Sequence, residues 1–263
     1  MVIPVPSNKN RFTIKLGIRA FHPFSLGIAA FDPTRPNTHY FRRGASFKAS
    51  QFKGGEAYRE IHIPLPVSPE TLAVELIDKN NGYDDGFQID KFEIENMPPA
   101  EVWATPERHR FMDFAIQFAQ KAGYTPAGFY NSPNNEFLIQ YLPAIKEEDG
   151  NELITPARIH RQMPRVQLSR RLFRKFSVPV RAAILSHEGC HFFRNTRSEK
   201  IADLCGMKYY LDYGFPTIEA VYAATKVFMQ HPETVAEPHV VRTKDIIDFI
   251  DNYKSEQKIK KVA

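Results

Sequence analysis

The first third of the chain alternates apolar and polar positions over short segments, a pattern typical of strands with one buried face. Clusters of Pro, Gly and Asn separate the segments and indicate turns. Five strands are predicted there: Phe12–Phe21, Gly27–Asp32, Glu60–Leu65, Thr71–Ile77 and Phe87–Ile94. They predict a compact sandwich-like or barrel-like module.

A helical period replaces this pattern after Pro98 and Pro99, because paired prolines end both strands and helices. Further helices are predicted at 106–122, 177–193, 198–213, 216–230 and 243–258, with strands at 137–142 and 166–168. The prediction is an α+β protein with an all-β, sandwich-like module at 1–97 and a mostly helical domain with a small sheet at 98–263.

Composition excludes some classes of function. Lys and Arg number 35 and Asp and Glu number 30, a net charge of +5. No recognisable nucleic-acid motif accompanies this small excess, so we do not expect a nucleic-acid partner. No run approaches the ~20 apolar residues that cross a bilayer, and the N-terminus lacks the pattern of a signal peptide. We therefore expect no membrane partner.

One short stretch has the spacing of metal ligands. Residues 186–191 have the sequence SHEGCH, which contains an HExxH motif. On a helix, His187 and His191 lie one turn apart on one face, so both imidazoles can point at a single ion. Glu188 is then placed to take a proton from a water held by the metal. The alternative is a pair of polar residues on a packed helix, with Glu188 as a surface carboxylate.

A third ligand is expected in residues 199–203, EKIAD. Two His and one Glu form a known ligand set for catalytic zinc, which keeps one position open. A short helix–loop–helix can return Glu199 to the metal, and Asp203, one turn further on, can accept the free N–H of a ligand histidine. The alternatives are a Glu favoured by the helix dipole and a solvent-facing or salt-bridged Asp.

HExxH followed by ExxAD resembles the gluzincin class of zinc metallopeptidases. More narrowly, the segments TPARIHRQ, HEGCHFFRN and SEKIADLCGMKYYLDYGFPTIEA resemble uncharacterised HExxH proteins of Bacteroidetes and their large tailed phages. The resemblance implies a zincin-like second domain and a Zn2+ cofactor. It also implies the site residues: His187, His191 and Glu199 as ligands, Glu188 as general base and Asp203 as the acceptor for the free N–H of a ligand histidine.

The implied activity is zinc-dependent hydrolysis of peptide bonds in a protein or peptide substrate. Zinc makes its water more acidic and polarises the carbonyl, while Glu188 takes the water proton and delivers it to the leaving amine. The segment 159–169 is predicted to be an edge strand along which a peptide lies extended. Four residues are candidates for the donor that stabilises the oxyanion: Tyr209, Tyr210, Tyr213 and His231.

A second hypothesis is a structural or docking subunit that keeps the metallopeptidase fold inside a larger assembly. Resemblance to phage-borne proteins motivates it, and its partners would be phage structural proteins. The expected location is the cytoplasm, or the virion if the protein is phage-encoded.

Four further features have simpler interpretations. Cys190 and Cys205 are expected to be small buried thiols rather than a redox pair or metal ligands, and two cysteines fit a reducing compartment. Counted from Asp78, the sixth position of an EF-hand loop is Tyr83 rather than Gly and the twelfth is Ile89 rather than Glu, so a hairpin turn is predicted for 78–86. The basic residues between 161 and 181 are predicted to form a solvated or interface face. Gly189, inside the motif helix, indicates close packing there.

Overall fold

The structure is a computed structural model that describes residues 1–80, 82, 86–100, 102, 104–160, 162–223, 227 and 237–262. Side chains are described in these ranges except at 218, 237–240 and 254–262. The chain divides into two compact units, Met1–Ala100 and Glu101–Ala263. Helices and mostly antiparallel sheets occur together, which confirms the α+β prediction.

Seven strands form the first unit: β1 (Val2–Val5), β2 (Phe12–Ala20), β3 (Phe24–Phe31), β4 (His39–Phe47), β5 (Ala57–Leu65), β6 (Leu72–Asp78) and β7 (Phe87–Asn96). Four of them form one antiparallel sheet in the order β1-β6-β3-β4, and three form another in the order β5-β2-β7. Alternate residues of β2 and β3 are buried, as the period of two requires. Phe24 stacks between Phe47 of its own sheet and Phe87 of the other, with ring centroids 5.1 and 5.7 Å away.

Each of the five predicted strands overlaps an observed one, and β1 and β4 are additional. β1 carries Pro4, which an edge strand tolerates but which weakens the strand signal. In β4 the run Arg42–Gly44 is exposed throughout, so the apolar alternation is lost. A register shift in the pairing of β3 with β4 also follows Ala30.

The segment 78–86 does not form the predicted hairpin turn. It joins β6 to β7, and these strands belong to different sheets, so it crosses between the sheets instead. The carboxylate of Asp78 accepts from the N–H of Asn80 at 2.8 Å, a local turn of the kind that Asp favours. Residues 81 and 83–85 lie outside the described part.

The second unit contains α1 (Pro106–Lys121), β8 (Gly128–Asn131), β9 (Leu138–Leu142), β10 (Ala157–His160), β11 (Arg165–Ser169), α2 (Arg170–Phe173), α3 (Val178–Phe193), α4 (Glu199–Asp212), α5 (Thr217–Tyr222) and α6 (Glu237–Val262). Its sheet has the order β10-β11-β9-β8, with β9 and β11 parallel. The predicted helix at 216–230 begins at α5, and much of the rest of it lies outside the described residues. α6 begins before the predicted start at residue 243.

α3 is the interior helix of this unit. It packs against α1, β10, α4 and α5, and every residue from Val178 to His191 is buried. A helix that is buried on all sides needs no polar stripe, so polar residues within it require a specific reason. Among the described residues, no helix combines the length and apolar character that a membrane crossing requires.

The predicted basic face at 161–181 is wrong in one essential respect. Arg181 is fully buried in α3 and donates to the carbonyls of Phe173, Ala119 and Arg174 at 3.2, 3.0 and 2.6 Å. It satisfies backbone groups that would otherwise be orphaned in the core. Arg171 is paired with Glu152 at 2.7 Å.

Candidate metal centre

The sequence around α3 fixes where the motif helix begins and ends. The side chain of Ser177 accepts from the N–H of Val180, and Pro179 lies in the first turn, where a missing N–H costs little. Asn195 follows the helix with φ 44°, a left-handed conformation common after helices. His187 and His191 share one face, with ring centroids 4.6 Å apart.

Two glycines let neighbouring helices approach α3 closely. A Cβ on Gly206 of α4 would lie 2.8 Å from the backbone nitrogen of His187, which only glycine avoids. A Cβ on Gly189 would overlap the ring of Phe111 in α1, which explains the close packing expected at that position. The approach of α4 brings Glu199, in its first turn, to the histidine face of α3.

Cys190 and Cys205 form a disulfide between α3 and α4, so the prediction of two buried thiols is wrong. The close helix contact places their Cα atoms 6.0 Å apart, a separation that a disulfide can bridge. The sequence spacing of 15 residues could not reveal this, because it depends on how the two helices cross. The argument for a reducing compartment from free cysteines is removed as well.

His187, His191 and Glu199 converge and form a cluster able to hold a metal ion. The Nε2 atoms of the two histidines are 3.1 Å apart, and each lies 3.4 Å from an oxygen of Glu199. A tetrahedral ion with bond lengths of about 2.0–2.1 Å would separate its ligand atoms by roughly 3.3 Å. The three observed separations fit that value.

The contacts of the two Nδ1 atoms explain why the Nε2 atoms can bind a cation. Nδ1 of His191 lies 2.9 Å from the carbonyl oxygen of Thr196, and Nδ1 of His187 lies 2.9 Å from Oδ1 of Asp203. Each acceptor favours the tautomer with the proton on Nδ1, which leaves the lone pair on Nε2. Two lone pairs and a carboxylate then meet in one place, an arrangement that repels itself unless a positive charge is bound.

Protonation supplies that charge when no metal does. Burial opposes protonation of His187, but hydrogen bonds to Asp203 and Glu199 outweigh it and raise its pKa to about 9. Partial burial opposes ionisation of Glu199, whose side chain is still 52% exposed, yet its hydrogen bonds to both histidines hold its pKa well below the usual range. The cluster is therefore an electrostatically organised site for positive charge.

Arg242 of α6 forms ion pairs with the carboxylates of Asp203 and Glu199, and the sequence did not predict this role. It donates to both oxygens of Asp203, at 2.8 Å to Oδ1, and its Nη2 lies 2.9 Å from Oε2 of Glu199. Burial opposes ionisation of Asp203, but the bonds to Arg242 and His187 lower its pKa. No sequence signal separates Arg242 from the rest of the 35 Lys and Arg residues of the chain.

Glu188 follows His187 in α3 and is not one of the three residues of the cluster. It is 9% exposed, and burial raises the pKa of its carboxyl group. The backbone N–H of Ile159 in β10 is close enough to act against burial and lower this pKa. A carboxyl group whose pKa is raised by burial and which lies beside a possible cation site is suited to accept and return a proton.

The segment 159–169 is not one edge strand but two strands of a hairpin. β10 is the edge of the sheet, and β11 is paired on both sides. The N–H of Ser169 donates to the carbonyl of Pro156, so these two residues form a hydrogen-bonded pair. Such pairs alternate along an antiparallel ladder, so the backbone groups of Arg158 and His160 also point at β11. Those of Ala157 and Ile159 point outward, towards the side on which Glu188 lies.

Among the candidates for the oxyanion donor, the contacts exclude Tyr210, whereas Tyr209 and Tyr213 stay predictions. The hydroxyl of Tyr210 is fully buried and donates to the carbonyl of Pro216 at 2.9 Å, so its proton is committed. The hydroxyl of Tyr209 accepts from Arg108 at 3.2 Å, and the ring of Tyr213 stacks on Phe215. His231 lies outside the described residues.

Comparison of the chain with protein-family models, with curated protein sequences and with solved structures finds no match.

Proposed function

We propose that the protein is a zinc-dependent metallopeptidase. The observation that carries this proposal is the convergence of two Nε2 atoms and one carboxylate at separations of 3.1–3.4 Å. Two imidazoles and one carboxylate are a ligand set of catalytic zinc, with one coordination position left for substrate or water. The resemblance of HExxH followed by ExxAD to gluzincins supports the same conclusion.

The chain's own residues would divide the work as follows. His187, His191 and Glu199 would hold zinc, which when bound supplies a Lewis acid for the scissile carbonyl and a more acidic water. Glu188 would accept the proton of the attacking water and pass it to the nitrogen of the leaving amine. Asp203 would fix the tautomer of His187, and Arg242 would hold Asp203 in place.

The substrate would be a protein or peptide that lies extended along β10. The outward N–H of Ala157 and the outward carbonyl of Ile159 offer hydrogen bonds to an added strand, whereas the carbonyl of Ala157 already accepts from the hydroxyl of Thr155 at 2.8 Å. The contact between Ile159 and Glu188 would place the scissile bond beside the base. Of the two expected locations, cytoplasm and virion, the disulfide between Cys190 and Cys205 favours the virion, because disulfides persist outside reducing compartments.

The test compares zinc content and cleavage of a mixed peptide library by the wild type and by Glu188→Gln. We expect about one zinc per chain in both proteins and cleavage only by the wild type. If Glu188→Gln cuts as fast as the wild type, the role of Glu188 is wrong. If the wild type holds zinc but cuts nothing, the proposal fails in favour of a structural or docking subunit.

A further inference from the structure

Three basic side chains share one face of the β10–β11 hairpin. Residues directly opposite in an antiparallel pair lie on the same face, and Arg158 is opposite Gln167 while His160 is opposite Arg165. The alternate positions Ala157, Val166 and Leu168 are buried, and β10 packs against α3 on that side. Arg158, His160 and Arg165 therefore occupy the face of the sheet away from α3.

The charge of this face is not compensated. Arg158 donates to the side-chain oxygen of Gln167 at 2.9 Å, and Gln167 donates to Gln140 at 2.9 Å, so neutral groups hold the guanidinium in place. In the described part of the chain, none of the three basic residues has a carboxylate within 4.0 Å. Arg171, only a few residues away, is by contrast paired with Glu152.

An extended peptide beside β10 would place its side chains in register with these residues. Because Arg158 and His160 direct their backbone groups towards β11, peptide residues opposite them would form non-hydrogen-bonded pairs, in which side chains are closest. The peptide residue between them would face Ile159, next to Glu188. Two peptide side chains, separated by one residue, would thus lie beside Arg158 and His160.

We propose that this face selects acidic substrates, with Asp or Glu at the two peptide positions opposite Arg158 and His160. A carboxylate opposite Arg158 forms a pair of opposite charges, which stabilises adjacent strands, and a carboxylate opposite His160 can accept a hydrogen bond from the ring N–H. The preferred segment is therefore acidic–any–acidic, centred on the residue that faces Ile159. This inference rests on the proposed function, because it assumes that substrate lies along β10.

The test measures binding to zinc-loaded Glu188→Gln protein by fluorescence anisotropy, so that turnover does not interfere. The probes are ten-residue peptides that differ only in containing Glu-Ala-Glu, Gln-Ala-Gln or Lys-Ala-Lys, and a single-stranded oligonucleotide. We expect the Glu peptide to bind roughly tenfold tighter than the Gln peptide, and the Lys peptide to bind most weakly. Adding Arg158→Gln and His160→Gln should reduce the preference for Glu to about twofold or less.

A matched control adds Arg43→Gln, which removes an exposed charge from an edge strand of the other unit and should leave the preference unchanged. Equal binding of the Glu and Gln peptides would overturn the proposal, as would a preference that survives the double substitution. Tighter binding of the oligonucleotide, lost in the same double substitution, would assign the face to nucleic acid instead. Cleavage of neutral peptides by the wild type without any acidic preference would overturn this inference alone and leave the peptidase intact.

Discussion

Replacing Asp203 with Asn should weaken zinc binding although Asp203 is not one of the three proposed ligands. Its Oδ1 lies 2.9 Å from Nδ1 of His187 and 2.8 Å from Nη2 of Arg242, and it is 1% exposed. Asn keeps the size and one acceptor but loses the charge. Arg242 would then interact more strongly with Glu199, whose Oε2 already lies 2.9 Å away, and draw this ligand from the metal.

The expected loss follows from the role of such partners. Removing a group that orients a metal ligand costs about 10- to 100-fold in affinity, or about 1.4–2.7 kcal/mol. We expect the upper part of this range, because the substitution both weakens His187 as a ligand and frees Arg242 to compete for Glu199. Competition against a chelating dye at constant pH measures the zinc Kd, and urea unfolding identifies conditions in which the variant is folded.

Asp212→Asn is the matched control. Asp212 also lies on α4 and also bonds to α6, where it accepts from the hydroxyl of Tyr253 at 3.0 Å, and its other partner is Lys208. Neither partner touches the three ligands, so the zinc Kd should stay within about twofold of the wild type. A zinc Kd in Asp203→Asn equal to that of the wild type, or an equal loss of zinc affinity in both variants, would show that Asp203 does not specifically support the zinc ligands.

Three other predictions concern the same helices. Replacing Cys190 and Cys205 together with Ser should lower the free energy of unfolding by about 3 kcal/mol, because the disulfide closes a loop of 15 residues; an unchanged urea midpoint would contradict this. Gly206→Ala should lower the thermal midpoint by at least about 4 °C, because its Cβ would meet the backbone of His187, whereas the exposed Lys200→Ala should not; a midpoint unchanged in Gly206→Ala would be decisive against the close contact. In zinc-free protein, protonated His187 should stabilise the fold by about 3 kcal/mol below pH 6.5, and this stabilisation should be lost as the pH rises through 9. Urea unfolding measures the free energy of unfolding across this range, and a value that stays constant or rises with pH would contradict the prediction.

Much of the candidate site could be predicted because its residues lie close together in sequence on regular helices. The one-turn spacing of His187 and His191, and of Glu199 and Asp203, fixes each pair on one helix face before any tertiary contact is known. Ser177 and Ser198 cap their helices as expected, which sets where the ligands fall in each turn.

What could not be predicted depends on the crossing of elements distant in sequence. Arg242 reaches Asp203 across 39 residues, and Cys190 meets Cys205 only because Gly206 admits α4 to the backbone of α3. The burial of Arg181 likewise depends on which carbonyls the fold leaves unpaired, among them that of Ala119 in α1.

In the first unit, the loop after Asp78 illustrates the same limit. Its composition is that of a tight turn, which is correct locally, yet composition does not decide whether the next strand pairs with the previous one or joins another sheet. β10 was not separated from β11 in the prediction of a single edge strand over 159–169, because its four residues include two exposed basic side chains and so carry little apolar alternation.

Zinc K-edge absorption of the purified, zinc-loaded protein is the most direct test of the metal centre. We expect one zinc per chain with two imidazole nitrogens and carboxylate or water oxygen at about 2.0–2.1 Å, and loss of one imidazole contribution in His191→Ala. A sulfur shell near about 2.3 Å, or a zinc spectrum that is unchanged in His191→Ala, would contradict it.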